Sequence, residues 1–297
     1  MKTPVKPQVI MALTTLFQKK KWDLSSGSET DMTLFRKFCE RLSLFSEDEQ
    51  DMLIELTSDF IRIGLQDYLA HFFESFILLG DSFFDNKDKI YVLPLVSPYS
   101  GTKSSEGKIL RGKSKSADFL HYLLDSSDWT WFSKKLVMNY TFKKLLKDFD
   151  SSNSSIVLID DFVGSGRTAA DVCKIFLMEN FSFGKLEPDS LKIVSLAAQK
   201  HGIHHVRKEV NVEVISNIII PKGISDRYIL PDLSSKIAQM NSVEEKLEIS
   251  EELHFGYEKS EAMITFLNKT PNNTFPIYWH ETKTKVAPFP RYKKFNL

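Results

Sequence analysis

Hydrophobic positions in the first third of the chain recur every three to four residues. Leu34, Phe35, Phe38 and Leu42 fall on one helical face, with Cys39 beside them. Ser46 followed by Glu49 has the spacing of a capping box, in which hydroxyl and carboxylate each satisfy a backbone N–H at the start of a helix. Beyond it Leu53, Leu56, Phe60, Ile61, Tyr68 and Phe72 continue an apolar helical face toward Gly80, with Gly64 as a kink or a divide. Residues 1–87 thus predict an N-terminal helical extension.

The period then changes. Lys89–Val96 (KIYVLPLV) and Ile156–Ile159 (IVLI) are short apolar runs, and each predicts a buried strand. Leu191–Ala198 predicts another, and Val210–Ile220 contains one more. Between these runs, Ala117–Leu124 and Thr168–Met178 predict helices, the second with Val172, Ile175 and Phe176 on one face. Strands alternating with helices imply an α/β core with a parallel sheet over residues 88–222. The polar stretch Ser97–Ser116 interrupts it with Gly101, Gly107, Gly112 and five lysines or arginines, and long loops inside compact domains are functional or disordered. Residues 223–297 read as a C-terminal α+β segment. There, Asp226–Glu252 is mostly helical, Ala262–Leu267 is strand-like, and Thr270–Pro276 is a turn leading into Ile277–Trp279.

Composition narrows the class. A chain of 297 residues, 42% hydrophobic, buries a large core without disulfide staples. Its 39 basic and 39 acidic residues cancel, which argues against holding nucleic acid by bulk phosphate neutralisation. The basic clusters Lys19–Lys21 and Arg291–Lys294 read as solvated surface first and as a nucleic-acid or protein contact second. The 23 phenylalanines suggest a large core or a buried partner surface. Cys39 and Cys173 lie in apolar segments and form no Cys-x-x-Cys, so free thiols and a cytoplasmic location are expected. No apolar run is long enough to span a membrane. The start of the chain is broken by Thr14 and Thr15 and followed by three lysines, so it reads as part of the domain, not as a signal peptide.

The segment that carries chemistry is Ile156-Val-Leu-Ile-Asp-Asp-Phe-Val-Gly-Ser-Gly-Arg-Thr-Ala169. An apolar strand ends at two adjacent acids, Asp160 and Asp161; a glycine loop follows, and a helix begins near Thr168. Ligands of parallel sheets bind beyond the carboxyl ends of the strands. Backbone N–H groups, the hydroxyls of Ser165 and Thr168 and a helix N-terminus gather here, which suits a phosphate. The acids suit sugar hydroxyls or a magnesium ion. The implied ligand joins a phosphate to a diol, as ribose 5-phosphate does. Gly164-x-Gly166-x-x-Ala169 also matches a dinucleotide fingerprint, yet the acid required after the next strand is missing, since Leu191–Ala198 runs into Gln199-Lys200. No Walker A spacing is present. The bland alternative is a capped strand–turn–helix without a ligand.

This segment resembles the phosphoribosyl-pyrophosphate (PRPP) motif of type I phosphoribosyltransferases. The resemblance implies that Asp160 and Asp161 hold the ribose hydroxyls and, directly or through those hydroxyls, Mg2+, and that Val163, Gly164, Ser165, Gly166, Arg167 and Thr168 cradle the 5′-phosphate. It implies a pyrophosphate-contacting loop at Ser97–Thr102, including Ser100 and Gly101, and a mobile basic loop with Lys103, Lys108, Arg111 and Lys113. The other reading of these cations is a solvated loop. Purine-salvage members carry an acid, their general base, where this chain has Gly164, which argues against that activity and leaves the base unassigned. The C-terminal segment would be the hood that selects an acceptor.

A looser resemblance links Lys113–Ser116, Asp160–Thr168 and Thr270–Trp279 to phosphoribosyltransferase-like effectors of bacterial conflict systems. Some of these stand beside retron reverse transcriptases and winged-helix proteins. It implies an antiphage defence role, such protein partners and indirect contact with nucleic acid. Asn272, Asn273 and Trp279 would then close over the ligand; the alternative is a Pro-Asn turn packed by a core tryptophan. His201, His204 and His205 invite a metal reading, but no acid or cysteine cluster accompanies them, and a helix surface is the expectation.

Overall fold

The computed structural model describes residues 4–24, 32–98, 101–103, 109–111, 116–127, 134–138, 141–179, 181, 185–266 and 269–291, with backbone alone at 101–103, 109–111 and 116. In chain order, helices α1 (Pro7–Lys20), α2 (Leu34–Leu42) and α3 (Glu47–Thr57) lead into strand β1 (Ile61–Ile63) and helices α4 (Tyr68–Ile77) and α5 (Asp81–Asp85). Strands β2 (Lys89–Pro94), β3 (Gly101–Lys103) and β4 (Ile109–Arg111) precede α6 (Ser116–Asp125), β5 (Leu136–Val137) and α7 (Phe142–Asp148). Then β6 (Ser154–Val163), α8 (Arg167–Met178), β7 (Leu191–Gln199), α9 (Lys200–Val210), β8 (Glu213–Ile215) and β9 (Ile218–Ile220) follow, and α10 (Asp232–Lys246) and β10 (Ile264–Phe266) complete the series. The elements group into two compact units, residues 66–220 and residues 1–65 with 221–297. Segments 1–87, 88–222 and 223–297 follow the chain linearly; the units follow contacts, so α4 and α5 group with the sheet and the two ends of the chain group together.

Residues 66–220 are an α/β unit around a six-stranded sheet in the order β5-β2-β6-β7-β8, with β9 also on β7. Every pairing in it is parallel. Strands covered on both faces read as continuous apolar runs, and Ile156, Val157, Leu158 and Ile159 of β6 are all fully buried. One face carries Ile156 and Leu158 against α7, α8 and α9, through Leu145, Val172, Phe176 and Val206. The other face receives α4, packed on β7, and α6, packed on β2 and β6.

Three expectations for this unit are corrected. Val210–Ile220 holds two short strands: β8 pairs with Lys192–Val194, and β9 with Ala197–Gln199. The break falls at Asn217, whose backbone N–H donates to Ser75 Oγ of α4 at 3.0 Å, while that hydroxyl donates to Asn217 Oδ1 at 3.0 Å. The central strand does not stop at Ile159: β2 ends its pairing there, but β7 carries β6 on to Val163, so the acids stand within the strand. Within Ser97–Ser116, β3 and β4 pair antiparallel, a hairpin where a loop was expected.

In the other unit the helical face that runs on from Leu53 is interrupted. Ile61–Ile63 is a strand that pairs in parallel with Ile264–Phe266. A period of alternation only three residues long is invisible inside a helical pattern, and its partner lies far along the chain. In the 27-residue span Asp226–Glu252 the α-helix covers only Asp232–Lys246, and a 3-10 turn begins at Glu251. The capping box forms as read, with the Ser46 N–H donating to Glu49 Oε2 at 2.7 Å. The phenylalanines explain themselves here: Phe17, Trp22, Phe38, Phe60, Tyr278 and Phe289 make one aromatic cluster, Phe60 stacked on Phe289 at 5.1 Å. No helix among the described residues is long and apolar enough to cross a membrane.

Candidate functional site

β6 is the middle strand of its sheet, and its carboxyl end delivers Asp160 and Asp161 to the edge beyond the last β2 pairing. Asp160 is half-buried and Asp161 is 7% exposed. Consecutive strand residues point to opposite faces, so the two carboxylates are not equivalent. Asp160 shares its parity with Ile156 and Leu158, and Asp161 shares its parity with Val157 and Ile159. The Asp160 carboxylate also turns back along the chain and accepts the Asp161 backbone N–H at 2.9 Å.

After Val163 the chain turns through Gly164-Ser165-Gly166 into α8. Gly166 is the N-cap, at φ 79° and ψ −9°. Only glycine takes that left-handed conformation without strain. It has no side chain to accept from the helix's first N–H groups. The positive end of a 12-residue helix is therefore presented to whatever lies at the loop. Ser165 is half-buried, while Arg167 and Thr168 are exposed.

The loop is held from behind by a residue that the sequence reading passed over. A Cβ on Gly202, in the first turn of α9, would lie 2.0 Å from the Gly164 carbonyl oxygen. A Cβ on Gly166 would lie 2.4 Å from the carbonyl oxygen of Gly202. The two glycines let backbone meet backbone. The signal available in sequence was a glycine inside a helical pattern, which calls for a packing reason.

Tyr68, the first residue of α4, is 1% exposed and lies on the Asp161 side of the sheet. Burial raises its phenol above the ordinary range, and the charges of Asp161 and then Asp160 raise it further. Its ring meets Phe119 of α6 edge-on at 6.1 Å. Spacing gave no reason to connect Tyr68 with the acids, because ninety residues separate them in sequence.

The remaining expected residues are distributed as follows. Gly101, Lys103 and Arg111 lie in the β3–β4 hairpin, where Gly101 stands opposite Arg111. Ser100 and Lys113 lie outside the described residues, as do the side chains of Lys103 and Arg111. Asn272, Asn273 and Trp279 belong to the other unit. There the Asn272 carbonyl accepts from the Tyr257 N–H at 2.8 Å, and the Asn273 amide donates to Ser260 Oγ at 2.8 Å. The Trp279 indole N–H donates to the Thr274 carbonyl at 2.7 Å, and the Arg291 guanidinium covers its ring at 5.4 Å. His201, His204 and His205 sit on α9. β7 passes into α9 at Gln199-Lys200, so the acid of a dinucleotide site is missing from its place.

No group of three or more His, Cys, Asp or Glu able to hold a metal occurs among the described residues. Asp160 and Asp161 fit an ion that keeps its waters and takes its other ligands from a substrate's phosphates, as Mg2+ does.

A parallel sheet whose middle strand carries two acids toward its carboxyl end and passes through a glycine loop into a helix fits a phosphoribosyltransferase-like protein. The family model for PRTase-CE matches residues 25–292, and the chain belongs to the PRTase-CE family. No curated protein matches it.

Proposed function

We propose that the β6–α8 loop binds the 5′-phosphate of PRPP, or of a related ribose 5-phosphate or nucleotide, and that the protein transfers or cleaves at ribose C1. The observation that carries this reading is the loop itself: left-handed Gly166, seated on Gly202, opens α8 with Gly164 and Ser165 between it and the carboxyl end of β6. Val163–Thr168 surround the phosphate, and Asp160 and Asp161 take the ribose hydroxyls. Mg2+ held by these acids and the substrate would stabilise charge on departing pyrophosphate. Lys103, Arg111 and Lys113 add cations for the same charge. As the C1–O bond to pyrophosphate breaks, C1 gains oxocarbenium character and the acceptor's lone pair forms the new bond. Gly164 supplies no base, so the acceptor proton leaves to another group or to water. In this reading the protein is an antiphage effector of a retron-type system, and Asn272, Asn273 and Trp279 belong to the hood over the acceptor.

Calorimetric titration of PRPP with Mg2+ tests the reading. Wild type is expected to bind, and the Asp160→Asn/Asp161→Asn double variant to lose binding by at least about a hundredfold, as expected when charged hydrogen bonds are removed. Equal affinities overturn it. Gly164 favours one second reading: a module that binds the nucleotide without turnover, as a sensor or assembly surface beside a reverse transcriptase and a winged-helix protein. Tight binding of PRPP with no pyrophosphate released over hours selects that reading.

A further inference from the structure

Ser195 of β7 stands directly opposite Asp160 of β6 in the parallel ladder. Register partners in such a ladder share a face of the sheet, and neighbouring strands run about 4.8 Å apart. Leu191 and Ile193 share their parity with Ser195, as Ile156 and Leu158 share theirs with Asp160, and all four join one apolar core. The serine and the acid are therefore side-by-side neighbours on that face.

Ser195 is fully buried, and its Oγ has no hydrogen-bond partner among the described residues. A hydroxyl taken out of water without a partner lowers stability, and folded chains rarely keep one without a reason. An alanine in its place would carry no such penalty. The carboxylate beside it is turned another way. Asp160 Oδ1 accepts the Asp161 N–H at 2.9 Å, a contact within its own strand, beyond the point where β2 has ended its pairing.

We propose that Ser195 is a positioning residue for Asp160. When the ligand draws the Asp160 carboxylate off the Asp161 N–H and toward the ribose hydroxyls, the Ser195 hydroxyl donates to it and holds it there. Asp160 then has two positions, one resting on its own strand and one held by the neighbouring strand. The unpartnered hydroxyl of the free protein keeps the second position ready. The inference rests on the ribose-phosphate reading above and adds to that site a residue from outside its motif.

The test sets stability against affinity in the full-length protein, comparing wild type with Ser195→Ala. Thermal unfolding without ligand reads the first, and calorimetric titration of PRPP with Mg2+ reads the second. Ser195→Ala removes an oxygen that has no partner in the free protein, so its melting temperature is expected to equal or exceed that of wild type. Its affinity for PRPP is expected to fall about tenfold, as loss of one hydrogen bond to a charged group predicts. The two readouts separate only for a group that works in the bound state. A merely structural serine would lower the melting temperature when truncated, and that result overturns the role. Affinity equal to that of wild type overturns it as well, and leaves the ribose-phosphate reading standing. Wild type that does not bind PRPP overturns the site reading and the role together.

Discussion

Gly166 and Gly202 show how little space the site allows. A methyl group on Gly166 would enter the Gly202 carbonyl and one on Gly202 would enter the Gly164 carbonyl, and Gly166 also has a positive φ. Gly166→Ala is expected to cost about 1–3 kcal/mol in urea unfolding and to abolish phosphate binding. Gly202→Ala, far from the motif in sequence, is expected to do the same through the Gly164 carbonyl. Two glycines at φ-demanding or crowded points are only half readable: Gly166 announced itself by its place after the acids, Gly202 did not. Burial is equally hidden in sequence at Glu244. Its side chain is fully buried and its carboxyl is pushed up to about 8 by burial, against the pull of the Phe255 N–H on both oxygens and with Glu261 adding to the rise. The folded state therefore holds this proton more tightly than the unfolded chain does. That contribution is whole below the ordinary carboxyl range and is lost as pH rises through about 8. Glu244→Gln keeps an acceptor for Phe255 and is expected to flatten the fall in melting temperature between pH 5 and pH 9, checked by calorimetric scans across that range.

Helices and long strands were legible because their periods are sustained: α2, the capping box of α3, β2, β7 and α8 stand where apolar spacing put them. The acids of β6 were legible as chemistry but not as strand, since nothing in Asp160 or Asp161 says that β7 will carry the ladder past them. β1 was missed for a related reason. Its three residues earn their conformation from β10, and pairing across two hundred residues leaves no local mark. The strand makes its own prediction. Ile63 is 1% exposed and Leu65, two residues on, is 45% exposed. Ile63→Ala is expected to cost about 2–5 kcal/mol and Leu65→Ala within about 0.5 kcal/mol, by urea unfolding of each variant.

The two units differ in how the chain builds them. Residues 66–220 are contiguous and hold their own apolar core, from Tyr91 and Leu93 through Ile156 and Leu158 to Val214. Expressed alone, that span is expected to give a cooperative melt by circular dichroism. Residues 1–65 alone are expected to give none, because β1 lacks β10 and the cluster of Phe17, Phe38 and Phe60 lacks Tyr278 and Phe289. The class of protein was readable from 14 residues; this division was not, because it is made by contacts between the ends. It gives synthesis an order. On the ribosome the sheet unit is complete while the aromatic half-core of α1–α3 still waits for residues 264–289, an interval on the order of several seconds at ordinary elongation rates. Through that interval Phe17, Trp22, Phe38 and Phe60 are open to water and to any chaperone that holds aromatic segments, so the arrival of Tyr278 and Phe289 decides when α1–α3 are safe.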